Sequence, residues 1–544
     1  MEDLVGKDLL EQLMFSLYPE AETIYREYLQ NACDSINEAV ATGLISENEG
    51  HVSIQIAKYA NRISIEDNGT GIPASEAERT LKHIARSKKR NQAGFFGIGR
   101  LVGGGYCKKL TFITSAKGEN IKSQMVFDVE EIRTILADEQ DNCSASDVIH
   151  KVTTFDNTQP EDPQKHYFKV ILDDILPDYP ELLDEDKILQ YLYQVAPIPY
   201  KSTFINNVIN PNITMDDNKY LEFYRQLNSV RVSVNDIVAI EKPYEDKFKG
   251  TEVTTEDDHK ENAPLEKMRF FTISDPIDGD LAWGWYAYTP GGTQIKEVDP
   301  YTQKPVLTRS IRLRCFNIQI GDENVLNKYF KQSRSHVYFN GEIFIINNGI
   351  KPTPDRSDIA PTPTAKRFQE HLTKFFREEL EKVYQEANKA NKQLENIKEA
   401  DKKIRQIQGT PISDDFPEES KAAQLEEAIK KRDDAKDKLT KIIDKGTKET
   451  AAPAFRAVAD DYKSKYDTYR TEPCNGVLEE PQATYGTRKH KTTEEEIQEL
   501  EDKYTVREVS MLRRIFAIID ARYKKKYESV VKSIKSSVLN DLKK

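Results

Sequence analysis

The sequence predicts a multidomain α+β protein, and three observations carry that prediction. At 544 residues the chain is too long for one hydrophobic core, and the usual domain of ~100–200 residues makes about three domains the expectation. Strand-like alternation recurs as far as about residue 360, mixed with helical periodicity in the first two hundred residues and dominant after them. Beyond Pro363 the composition changes to long charged stretches with apolar residues at heptad spacing.

Taken in order, residues 22–40 repeat apolar positions at helical period, HVSIQI and NRISIED alternate as strands, and KKLTFITS and HYFKVILDDI read as further strands. Residues 1–200 are therefore expected to form an α/β domain. The runs VRVSVNDIVAI, MRFFTI, LAWGWYAYT, SIRLRCFNIQIG and GEIFIINNGI make residues 201–380 a second, α+β domain, and KPYEDKFKGTEVTTEDDHKENAPLEK within it has the composition of a solvated loop. Leu380, Val383, Ala387, Ala390, Leu394, Ile397 and Ile404 follow a heptad, QGTPISDDFPEES interrupts it, and Leu425, Ile429, Leu439 and Ile442 resume it more weakly. A helical hairpin or coiled coil over 381–465 is the expectation, with one broken, solvated helix as the alternative. Residues 466–493 have the composition of a flexible linker, and an apolar stripe from Ile497 to Val538 predicts a helical module over 494–544.

Acidic side chains number 91 and basic ones 79, a net charge of -12, with a mean hydropathy of -0.68. That balance disfavours a constitutive nucleic-acid binder, although RSKKRNQ (86–92), TRKHK (487–491) and RYKKKY (522–527) are local basic tracts. No apolar run approaches the ~20 residues of a bilayer span. The acidic start MEDLVGKDLLEQLMFSLYPE lacks the basic segment and apolar core of a secretion signal, so a soluble cytoplasmic protein without membrane contacts is expected. Five scattered cysteines (Cys33, Cys107, Cys143, Cys315, Cys474) with no CxxC pair argue against a disulfide framework or a zinc site.

Three features in the first domain converge on one ligand. In REYLQNACDSINEAV, Glu27, Asn31 and Asp34 stand at i, i+4 and i+7, on one helix face. A carboxylate there can deprotonate a water, and an amide oxygen one turn on can ligand a magnesium ion bound to phosphates; the same spacing also suits a solvated face. ISIEDNGTGIP runs an apolar strand into Asp67, Asn68, Gly69, Thr70 and Gly71, which suits a hydrogen bond from an exocyclic amine such as that of adenine, or a tight turn alone. AGFFGIGRLVGGG gathers six of the 24 glycines, an exposed backbone able to cradle phosphates, although no Gly-Lys-Ser/Thr follows as in a Walker A loop.

The order of these parts resembles the GHKL superfamily of ATPases, and within it the ninety-kilodalton heat-shock chaperone family, HtpG-like members included. Glu27-Tyr28-Leu29-Gln30-Asn31-Ala32-Cys33-Asp34-Ser35 resembles the family's E-L-x-S-N-A-x-D-A, Leu81-Lys82-His83-Ile84-Ala85-Arg86-Ser87 its L-x-x-I-A-x-S, and Gly94-Phe95-Phe96-Gly97-Ile98-Gly99 its G-x-F-G-x-G. The resemblance implies a Bergerat-fold α/β sandwich that takes ATP and Mg2+. Glu27 would be its general base and Asn31 its magnesium ligand. Asp34, Asp67, Gly69, Gly71, Gly94, Phe96, Gly97, Ile98 and Gly99 would lie about the nucleotide. The segment around FNGEIFIINNGIKPTPDRSDI resembles the family's middle domain, where a loop arginine reaches the γ-phosphate, which makes Arg356 the second catalytic candidate. Arg312 and Arg314 are weaker candidates, since alternating arginines on a strand are expected to be exposed.

Two departures stand out. Gln164-Lys165-His166-Tyr167-Phe168 occupies the place of the family's Gly-Thr, and residues from about 385 onward do not match the chaperones' dimerisation domain. The implied activity is slow ATP hydrolysis by a homodimeric clamp that acts on a protein client. The alternative is a clamp on nucleic acid, like the MutL-type repair and MORC-like chromatin-compacting relatives that pair the same ATPase with an S5-like middle domain.

Overall fold

The computed structural model of the protein describes residues 6–16, 20–82, 99–138, 140, 143–213, 218–227, 229–255, 259–265, 267–410 and 418–471, together with Phe516 and Lys535. Met1–Thr471 forms one compact unit and Glu472–Lys544 a second. In the second unit the Lys535 ammonium lies 5.3 Å from the Phe516 ring centre. The rest of the expected helical module at 494–544, and the linker beyond residue 471, lie outside the described residues.

The first unit is an α+β protein built on two mixed sheets. The first contains β1 (His51–Ala57), β2 (Arg62–Asp67), β3 (Cys107–Ser115), β4 (Ile121–Asp128), β5 (Thr153–Pro160), β6 (Tyr167–Ile175) and β7 (Arg231–Val234) in the order β5-β4-β3-β6-β2-β1-β7. Neighbours are antiparallel except β1 and β7. Period two sends Val52, Ile54 and Ile56 of β1, and Ile63, Ile65 and Asp67 of β2, to one buried face. Against the core on that face pack residues of α1 (Thr23–Ala41), α2 (Ala74–Lys82), α3 (Val129–Ala137), α4 (Ala145–Val152) and α5 (Glu185–Val195). The sheet draws on sequence well past residue 200: β7, with Val230, Val232, Val234 and Ile240, belongs to this core.

The second sheet runs β10 (Arg269–Asp275), β11 (Gly279–Tyr288), β14 (Phe339–Ile345), β12 (Ser310–Cys315) and β13 (Ile318–Ile320) across its width. The segment read as a solvated loop instead forms a hairpin of β8 (Lys247–Thr254) and β9 (Lys260–Pro264), preceded by fully buried Lys242 and Tyr244. Its polar composition conceals alternation: Phe248, Gly250 and Thr251 turn inward while the charges stay out.

Between the sheets lies a buried ionic cluster. Glu342, wholly inaccessible on β14, pairs with Lys242 at 2.8 Å and with Arg314, and accepts from the Tyr200 hydroxyl. Arg314 donates in turn to the carbonyls of Gln194 (2.8 Å) and Asn317 (2.9 Å). Burial, then the Arg314 charge, depresses the Lys242 ammonium to about 7, while the same two cations hold Glu342 ionised against its own burial. Arg312 and Arg314, expected to be exposed, are therefore both buried, because β12 lies inside its sheet and Glu323 and Glu342 supply counter-charges.

After α6 (Asn218–Arg225), the helical region comprises α7 (Pro363–Phe375), α8 (Glu381–Gly409), α9 (Glu418–Thr447) and α10 (Pro453–Thr471). Ile404 and Ile407 meet Ala428, whereas Val383 to Ile397 meet Ala435, Leu439 and Ile443, so α8 and α9 are antiparallel. The heptad positions from Leu380 to Ile404 are all buried. The chain then adds a third helix, and residues 466–471, expected to open the linker, continue it. This helix packs Ala454, Ala457, Val458 and Tyr462 on α8 and α9, Tyr466 meets the Thr440 hydroxyl at 2.8 Å, and Asp461 binds Arg269 of β10 at 2.6 Å and Tyr288 of β11.

Replacing Glu342 by Gln would leave two cations buried beside a neutral amide. A loss of about 3–5 kcal/mol is expected in urea unfolding, against about 2 kcal/mol for Tyr200→Phe, which removes the hydrogen bond to Glu342 and the one accepted from the Trp285 indole.

Candidate nucleotide site

Helix α1 has no glycine or proline and is buried on almost every side, charged residues included. Glu27 and Asp34 are only 5% and 3% exposed, so their shared face is not a solvated one; Asn31 between them is partly accessible. Tyr25 fixes the helix by donating to the Leu182 carbonyl at 2.7 Å. The Tyr28 hydroxyl donates to the Arg100 carbonyl and accepts from the Gly103 amide, which binds α1 to the segment after the glycine motif.

Asp67 reaches the same place from the sheet. It ends β2 on the buried face, in register with Phe168 of β6, which pairs on its other side with Thr114. An otherwise apolar face thus ends in a carboxylate and a hydroxyl. Burial, then Asp34 and Asp67, raise the Cys33 thiol well above its ordinary range, so both carboxylates act on one point of α1. The Asp67 carboxylate accepts from the Gly69 amide at 2.9 Å.

The DNGTG turn is held against the protein itself. A Cβ on Gly69 would lie 2.1 Å from Ser35 Oγ, and one on Gly71, whose φ is +65°, would lie 1.9 Å from the Ser115 carbonyl oxygen. Ser35 Oγ accepts from the Thr70 amide, Thr114 Oγ1 from the Ile72 amide, and His166 donates through Nδ1 to the Gly69 carbonyl. The segment 164–168, where the motif departs from Gly-Thr, thus still braces this turn.

Gly94, Phe96, Gly97 and Ile98 lie outside the described residues, whereas Gly99 sits against the catalytic candidate: a Cβ there would fall 2.7 Å from Glu27 Oε2. Gly103 and Gly104, expected to expose backbone, are buried and packed against Tyr28, Leu172 and Met14. The second half of the glycine cluster is a packing device.

Arg356 arrives from the other core. Its loop is stiffened by Thr353 and Asp355, and its backbone is left-handed at φ +57°. The Arg356 side chain is 3% exposed. Burial lowers its affinity for the proton, and Glu27 is the strongest charge opposing that shift, with Asp34 a smaller one. The partner that sequence reasoning missed is Arg26, whose Nη2 donates to the Asp355 carbonyl at 2.7 Å and whose Nε lies 3.6 Å from Glu27. Its only signal was adjacency to Glu27, and its contact spans 329 residues of sequence.

One carboxylate acts with an amide on a helix face, a second carboxylate ends a strand, and a cation enters from outside. Carboxylate and amide oxygens suit a nucleotide carried with a hard divalent cation, and an arginine suits its terminal phosphate. Residues 20–159 match the family model described as histidine kinase-, DNA gyrase B-, and HSP90-like ATPase. The chain is also similar to proteins named chaperone protein HtpG. With that of Paraburkholderia xenovorans it is 36% identical over 97 residues, 17% of this chain and 15% of the relative. For Burkholderia cenocepacia the figures are 33% over 132 residues, 21% of each, and for Clostridium perfringens 27% over 163 residues, 27% and 26%. The matched stretches thus span about a quarter or less of those relatives' length. Over residues 20–159 the chain is a GHKL-type ATPase domain of the histidine kinase-, DNA gyrase B- and HSP90-like family, similar in part to the HtpG chaperones.

Proposed function

We propose that the protein binds ATP with Mg2+ at the end of its first sheet, hydrolyses it slowly, and works as a homodimeric, chaperone-like clamp on a protein client. The observation that carries the catalytic part is the position of Arg356, contributed by the second core, within electrostatic reach of Glu27 on α1. In this reading Glu27 takes a proton from the attacking water, and Arg356 stabilises charge developing on the transferred phosphoryl group. Asp67 accepts a hydrogen bond from the exocyclic amine of adenine, and Asn31 offers its amide oxygen to the cation. When bound, Mg2+ supplies neutralisation of the phosphate charge. Because base and arginine belong to different cores, hydrolysis depends on their docking, which Arg26 holds through Asp355. The Bergerat sandwich and S5-like middle domain, the client and the dimer rest on the partial similarity to HtpG and on the motif order.

Glu27→Ala is expected to bind ATP within about threefold of wild type by calorimetry while phosphate release falls by ~10²-fold or more. Asp67→Asn is expected to lose binding. Wild-type turnover in Glu27→Ala would sink the catalytic assignment. Arg356→Ala should retain binding and slow turnover by ~10–10²-fold, and Arg356→Lys should not restore it, since a point charge does not reproduce the guanidinium fork. Sedimentation equilibrium should give about twice the 62.5 kDa chain mass at micromolar concentration; a monomer with full activity would end the dimeric reading.

A further inference from the structure

At one end of the second sheet is a cavity of about 230 Å³ that the nucleotide chemistry does not use. Its wall is a run of stacked rings: Phe223 on Trp283 at 5.8 Å and 16°, then Trp283 on Phe344 at 4.6 Å and 21°. Phe223 belongs to the helix Asn218–Arg225, and the exposed amides of Gln226 and Asn348 reach the cavity from that helix's end and from the turn after β14. Ile346, 39% exposed, is on its rim. In a chain of which 31% of residues are charged, no Asp, Glu, Lys or Arg is among the described residues that line it.

The β12–β13 hairpin supplies a second, independent observation. Cys315 pairs with Ile318, so Phe316 and Asn317 form a two-residue turn with φ of +54° and +59°. Such a turn favours Asn and Gly at both positions. Asn317 conforms, whereas Phe316 holds an aromatic residue in a left-handed conformation, and that residue lines the cavity.

We propose that this cavity receives an uncharged aromatic or branched aliphatic side chain on an extended segment of a partner protein. Its volume is below the ~300–1,000 Å³ typical of sites for whole small molecules, and the uncharged lining that the described residues give it selects a neutral guest. The amides of Gln226 and Asn348 offer donors and acceptors to the guest's flanking peptide groups. Phe316, partly buried against the second core, adds its ring to the cavity wall. The site functions without nucleotide and stands apart from the ATPase reading.

The test is calorimetry on the full chain, without nucleotide, with acetyl-Gly-Phe-Leu-Gly-amide as probe and acetyl-Gly-Glu-Lys-Gly-amide as control. Saturable binding of the neutral peptide alone is expected, with Trp283 emission changing in parallel. Phe316→Asn should weaken it about fivefold or more, the relieved turn offsetting in stability the packing on the second core that is lost. Ile346→Lys, at an exposed position, should weaken it similarly without loss of stability. No saturation up to about 10 mM, equal binding of the control, or wild-type affinity in both variants would overturn the proposal. So would equally tight binding of free acetyl-phenylalaninamide, which would make the ligand a small molecule.

Discussion

The arrangement of this chain depends on one buried carboxylate. Glu342 has no access to solvent and gathers Lys242, Arg314 and Tyr200 around itself. A charge in that position is tolerable only when it is paired and its remaining lone pairs are satisfied, which specifies the surrounding geometry. Arg314 then holds the last carbonyls around α5, at the end of the first core. The second sheet is fixed against the first by hydrogen bonds with narrow angular tolerance, not by apolar area alone. From that fixed seat the loop of Arg356 reaches α1.

Helix α1 is the receiving element. It buries Arg26, Glu27 and Asp34 where a helix chosen for stability alone would bury apolar groups. Such buried charges, met by a strand-end aspartate and an arginine from a distant loop, are what makes this cluster the candidate site. Their burial also strengthens every interaction among them, since little water remains to screen it.

The helical region shows how far periodicity carries. Alanine and leucine positions from Val383 to Ile397 bury as their heptad requires, and α9 folds back on them. The third helix joins the same core through small residues, Ala454, Ala457, Val458 and Ala459, with Tyr462, and Asp461 adds bonds to Arg269 and Tyr288 on the sheet that hydrophobic spacing does not report. The β8–β9 hairpin was hidden from that spacing too, its outward charges outnumbering its inward Phe248 and Thr251.

The sequence by itself determined the local elements and the parts of the site that lie within them. The three-residue spacing of Asn31 and Asp34, the strand parity that buries Asp67, and the glycines that fit the turn at 69–71 are all short-range consequences of backbone geometry. It also carried the motif order by which the ATPase domain was legible. Tertiary structure alone decided that Arg312 and Arg314 are buried, that Gly103 and Gly104 pack instead of facing solvent, and that Arg26 clasps the loop presenting Arg356. Those outcomes turn on charge pairing and close packing between segments separated by up to 329 residues, and no local pattern encodes which distant group will supply the counter-charge.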